Sequence, residues 1–157
     1  QIINYEKRVF YAETNFGDIT DYWCLDFTAA GRYDVIYNHI LTHKYYMNQQ
    51  IEEEVSMEEA ISSWFEKVYL PLASSIIKKR ILKKFPKRTV ADLYVWTVRY
   101  WDQLKQKFGN DVAIDEAVET FSKKYRIPLH RRIKNQIKRI ILRKAIDNSL
   151  NENDINL

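Results

Sequence analysis

The sequence is poor in the residues that punctuate or cross-link a chain. It has one cysteine, Cys24, so neither an intramolecular disulfide nor a thiolate zinc site can form within it. That economy fits a reducing compartment, and a cytoplasmic location is expected. Only three glycines and three prolines occur among 157 residues. Sparse turn signals exclude a many-stranded sandwich and favour long helices with few connections. No run of ~18 consecutive apolar residues exists, so no membrane span and no membrane partner are expected. A basic stretch followed by an apolar run, the mark of a secretory leader, is also missing at the start. The chain opens on Gln1 rather than Met, from which we expect a piece of a longer parent protein.

Catalytic signatures are missing too. The glycines are scattered, so no phosphate-cradling loop is encoded, and no G-x-S-x-G elbow occurs. Cys24 has no adjacent basic residue in sequence to activate it. The acidic residues show no recognisable catalytic spacing. The expectation is a non-enzymatic domain without a cofactor.

What is present is apolar and aromatic content, 46% and 14% of residues, enough for a buried core. The length suits one domain, placed over residues 1–150 with a polar tail at 151–157. The expected fold is all-α: a single-domain bundle of about six helices, with one short strand or extended segment over Cys24–Phe27. A short helix is read over Asn4–Thr14 and a turn over Gly17–Asp21, and Gly31 permits a tight connection. Val35, Ile36, His39, Ile40 and Tyr46 recur at helical spacing and mark a helix over Asp34–Met47. Ser56-Met57-Glu58-Glu59 is a capping box, followed by the apolar face of Ile61, Trp64, Phe65, Val68 and Tyr69. Pro71 within that pattern predicts a kink or break near Leu70, with helix resuming until Pro86. A second cap at Thr89–Asp92 opens the strongest helix, closed by Gly109, and a shorter one follows over Asp115–Tyr125. Pro128 suits the start of a last helix running to about Leu150.

The net charge of +4 conceals an asymmetry. Residues 1–60 hold 4 basic and 11 acidic residues; residues 61–157 hold 21 basic and 10 acidic. Such halves either serve different partners or attract each other. Between Thr120 and Ile146 there are ten Lys or Arg residues and no acid, interleaved with Ile133, Ile137, Ile140, Ile141 and Leu142. An apolar stripe that anchors a row of cations is what phosphate neutralisation needs. Arg131, Arg132, Lys134, Lys138, Arg139 and Arg143 are the candidate nucleic-acid-binding residues. The bland reading is a solvated flank whose isoleucines pack on the domain and whose cations pair with the acidic half, or dock on a partner protein. A second cluster, Lys78, Lys79, Arg80, Lys83, Lys84, Lys87 and Arg88, packs seven cations into eleven positions at a helix end and its turn. Phosphate contact and simple helix-dipole compensation explain it equally.

Two further sets carry weaker signals. His39 and His43, at i and i+4, can share a metal, with Asp34 or Asn38 as a further ligand. The glutamate of an H-E-x-x-H motif is absent, because Ile40 follows His39. Local hydrogen bonding beside Tyr45 and Tyr46 is the simpler account. The aromatics Tyr45, Tyr46, Trp64, Tyr94, Trp96, Tyr100 and Trp101 suit base stacking, but their helical spacing assigns them to the core.

Three segments carry a family resemblance. They are Gly31-Arg32-Tyr33-Asp34 with His39-Ile40 and His43-Lys44-Tyr45-Tyr46; Glu59-Ala60 through Ser63-Trp64-Phe65 with Val68-Tyr69-Leu70-Pro71; and Phe85-Pro86-Lys87-Arg88-Thr89 with Ala91-Asp92-Leu93-Tyr94-Val95-Trp96. Together they resemble the C-terminal helical region of bacterial proteins that carry an N-terminal ParB-like nuclease-fold domain and are often labelled transcriptional regulators. The resemblance covers roughly residues 8–120. It implies an accessory domain of a regulatory, DNA-associated protein. The Asp-Gly-x-His-Arg type motif of the ParB-like domain is not in this chain, so no catalytic residue carries over, and the basic stretch after Tyr125 lies beyond the matched region. The expected function is therefore nucleic-acid binding through the basic C-terminal helix. Two alternatives stand beside it: a protein-interaction or dimerisation module without DNA contact, and a metal-dependent hydrolase or sensor using His39 and His43.

Overall fold

The computed structural model describes residues 1–51, 53–109 and 111–125. Contacts group Gln1–Lys124 into one compact unit. The region after Tyr125, with the expected last helix over 128–150 and the tail at 151–157, lies outside the described residues.

The described chain is all-α, with no strand. Its helices are α1 (Ile2–Thr14), α2 (Phe16–Ile19), α3 (Arg32–Ile51), α4 (Met57–Trp64), α5 (Leu70–Lys78), α6 (Val90–Phe108) and α7 (Ile114–Tyr125). The expected turn at Gly17–Asp21 begins instead as the single helical turn α2, which buries Phe16 completely. α3 sits centrally, packed on α1, α4 and α6, while α5 packs on α6.

Both capping boxes form. Ser56 Oγ accepts from the Glu59 backbone N–H at 3.2 Å, and the Glu59 carboxylate accepts from Ser56 N–H at 2.9 Å. Thr89 and Asp92 repeat the exchange at the start of α6. Each satisfies donors that the first helical turn leaves without partners.

Pro71 does not break the helix. α4, a π-helical turn over Phe65–Tyr69 and α5 run on without interruption. Pro71 has no N–H, and its ring crowds the carbonyl four residues back. The wider π turn inserts one extra residue just before the proline, and Leu70 N–H reaches Phe65 O, five residues back. The disruption expected near Leu70 takes the form of this local widening rather than a break, and Trp64, Phe65 and Tyr69 are buried on it.

The core is largely aromatic. Trp64, Tyr69 and Tyr94 pack with ring centroids 4.8–5.9 Å apart, and Phe16, Phe10 and Tyr33 extend the cluster. Such rings bury large areas and gain further from edge-to-face contact. Tyr100 is buried as well, and Trp96 and Trp101 pack partly buried against the core. Tyr45 and Tyr46 depart from the expected core assignment: they are exposed and contact each other edge to face. At 100° per residue they lie away from the Ile36 and Ile40 side of α3, which already fills the core.

Cys24–Phe27 joins no ladder and is an irregular segment held by side chains. Tyr11 Oη donates to Trp23 O and accepts from Leu25 N–H, both at 2.9 Å. Tyr33 Oη donates to Leu25 O, and Thr89 Oγ1 to Asp26 O. Hydroxyls from α1, α3 and the α6 cap thus do for this backbone what a neighbouring strand would do. Gly31 closes the segment with φ +74°, a left-handed conformation that costs a side-chain-bearing residue, and donates its N–H to Glu6.

Candidate nucleic-acid interface

The six cations singled out in the C-terminal stretch, Arg131, Arg132, Lys134, Lys138, Arg139 and Arg143, lie outside the described residues. The second cluster is fully described. Lys79 caps the end of α5, Arg80 turns the chain in the left-handed region (φ 53°), and Ile81–Lys84 forms one 3₁₀ turn. Ile81 and Phe85 anchor this turn: both are buried, and Phe85 stacks on Phe121 of α7 with centroids 5.6 Å apart. Of the two cations between these anchors, Lys83 is exposed and Lys84 is half-buried.

The cations divide by their tethers. Lys79 lies 3.7 Å from Glu119, which also holds Lys123 at 2.8 Å. Lys123 and, more weakly, Lys79 hold the Glu119 carboxyl below its ordinary value. Lys84 Nζ donates to Ser122 Oγ at 2.8 Å. These contacts place Lys79, Lys84 and Lys123 around the same end of α7. Arg88 lies over the Trp96 ring, 4.9 Å from its centroid, and donates to Thr28 Oγ1. Lys78, Arg80 and Lys87 are exposed and enter no ion pair with a described residue.

The acidic half does not neutralise this cluster among the described residues. The three ion pairs between described residues each join groups of the same half: Lys7–Asp26 in the first, Lys79–Glu119 and Lys123–Glu119 in the second.

The histidines are placed separately. His39 packs against the Tyr94 ring, and His43 Nε2 lies 3.0 Å from Ser63 Oγ. Burial lowers the tendency of both to protonate, with Lys67 adding to the effect at His43. Among the described residues, no group of three or more His, Cys, Asp or Glu side chains is arranged to hold a metal ion.

One cluster escaped the sequence reading. Lys7 of α1 donates to Asp26 at 2.7 Å and to Cys24 Sγ at 3.0 Å, and Cys24 in turn donates to Asp26. The hydrogen bond to Asp26 raises the Lys7 pKa well above its ordinary value, which keeps the ammonium charged. Cys24 and Asp26 are neighbours in sequence, but Lys7 is seventeen residues away and only the packing of α1 brings it there. No protein-family model, curated protein or solved structure matches this chain.

Proposed function

We propose that the chain is a non-enzymatic helical domain of a bacterial regulatory protein of the ParB-like type, and that it binds nucleic acid through its basic face. The observation that carries the reading is the charge placement. Seven cations are held on a turn pinned by Ile81 and Phe85, and no carboxylate of the acidic half pairs with them among the described residues. Lys78, Arg80 and Lys87, exposed and in no ion pair with a described residue, are available to phosphate on this support without first ordering a loose segment. Along the sequence, the end of α7 leads directly from Lys123 and Lys124 into the stretch containing Arg131, Arg132, Lys134, Lys138, Arg139 and Arg143. The phosphate backbone, rather than base edges, is the ligand this composition suits.

The test is fluorescence anisotropy with a labelled duplex over a salt series. Six neutralised phosphates give a slope of about −5 in log affinity against log salt, so affinity falls on the order of a thousandfold between 50 and 200 mM. Charge reversal of Arg131, Lys134 and Lys138 weakens binding to every sequence and flattens the slope. Reversal of Lys78 and Lys79 does the same if both clusters contact the same phosphate path. Absence of binding at micromolar protein and low salt overturns the reading.

A further inference from the structure

The acidic half carries a feature that nucleic-acid binding does not use. Between the end of α3 and the start of α4 lies a groove of about 340 Å³ lined by Met47, Ile51, Glu53, Glu54, Val55 and Glu59. Met47, Ile51 and Val55 give it aliphatic walls, and Glu53, Glu54 and Glu59 give it acidic ones. Ile51 is 53% exposed, which leaves an aliphatic side chain in solvent at the edge of the groove. Glu59 also borders a second depression lined by Asp18 and Glu58, so five carboxylates surround this end of the domain. None of them belongs to an ion pair between described residues. The N–H of Val55 donates to Asn48 Oδ1, which ties the connecting loop back onto α3. Glu53 and Glu54 are therefore carried on a held loop.

A groove lined by aliphatic and acidic side chains together is the complement of an apolar stripe with cationic flanks, and the chain itself encodes one. Ile133, Ile137 and Ile140 have i, i+4, i+7 spacing, flanked by Lys134, Lys138 and Arg139 with no acid nearby. We propose that this groove receives the 128–150 segment of a second copy of the chain, giving a reciprocal dimer in which each protomer supplies one groove and one basic segment. Isoleucines pack on the aliphatic walls, and lysines and arginines neutralise Glu53, Glu54 and their neighbours. The arrangement answers the charge asymmetry in trans, and it does not engage Lys78, Arg80 or Lys87.

The dimer draws on Lys134 and Lys138, which the nucleic-acid reading also uses, so dimerisation is measured in an assay that contains no nucleic acid. Sedimentation equilibrium is run on the full chain at low salt for wild type, for Glu53→Lys with Glu54→Lys, and for Lys134→Glu with Lys138→Glu. Glu59 is left intact because it caps α4; circular dichroism checks that each variant folds. Wild type is expected to show concentration-dependent dimerisation that weakens in 0.5 M salt. Each variant alone loses affinity by about tenfold or more, because like charges then face each other. The equimolar mixture of the two variants restores dimers, since each groove again meets a segment of opposite charge. That rescue requires contact between copies. A monomeric wild type, variants that dimerise like wild type, or a mixture that stays monomeric each overturns the proposal. Glu53 and Glu54 serve the dimer alone, so the Glu53→Lys, Glu54→Lys variant loses dimers and keeps or strengthens duplex binding if the function proposed above holds, and the two readings fail separately.

Discussion

Replacing Asp92 with alanine is expected to cost far more than replacing Glu59, although both close a capping box of the same form. Asp92 is 1% exposed and accepts three hydrogen bonds: from Thr89 N–H at 3.1 Å, Thr28 N–H at 3.1 Å and Thr28 Oγ1 at 2.7 Å. The first caps α6; the other two tie the irregular segment to that helix. Hydrogen bonds to a charged group contribute about 1.5–3 kcal/mol each, and they do not add fully. Truncation also leaves buried donors without acceptors. The sum is a loss of about 3–5 kcal/mol. For a cooperative unit of 124 residues, an unfolding entropy near 2.1 cal/mol/K per residue converts each kcal/mol to about 4 °C, so the melting temperature falls by roughly 12–20 °C. Glu59 is solvent-exposed and its bonds stay within its own cap, so Glu59→Ala shifts the melting temperature far less. Differential scanning calorimetry on both variants measures the contrast. A double-mutant cycle with Thr28→Val should show coupling of at least about 1 kcal/mol to Asp92. Equal losses for the two caps, or no coupling to Thr28, refute the argument that burial and the tie to Thr28 set the difference.

Other outcomes follow from individual groups. Thr97 is fully buried and its hydroxyl finds no partner, so Thr97→Val is expected to leave stability unchanged or raise it by about 1 kcal/mol in urea denaturation. His39 and His43 titrate below the ordinary value because of burial. The unfolded chain then binds more protons below about pH 6.5, so stability falls as the pH drops from 7 to 5.5. The urea midpoint should follow this, and the dependence should flatten in the His39→Asn, His43→Asn variant. Binding to duplex DNA should weaken log-linearly with salt, as set out above, and reversing Arg131, Lys134 and Lys138 should reduce the slope.

Local chemistry made much of this protein legible in its sequence. Ser56 and Glu59, or Thr89 and Asp92, need only three-residue spacing to form a cap, so both helix starts were readable. The end of α6 at Gly109 was readable in the same way, and the all-α class followed from scarce glycine and proline. Non-local packing decided the rest. Pro71 announced a disruption, but the choice of a π turn over a break belongs to the burial of Trp64 and Tyr69 against Tyr94. Tyr45 and Tyr46 lie off the Ile36–Ile40 side of α3, and only the placement of its neighbours showed that this side alone is buried. Cys24–Phe27 had the composition of a strand and no strand to pair with, so hydroxyls from distant helices took the place of a ladder. The charge asymmetry could be counted from residues alone. Which charges meet depends on separations across the fold: it put Lys7 on Asp26, Lys79 on Glu119 and, among the described residues, no carboxylate of the first half on a cation of the second.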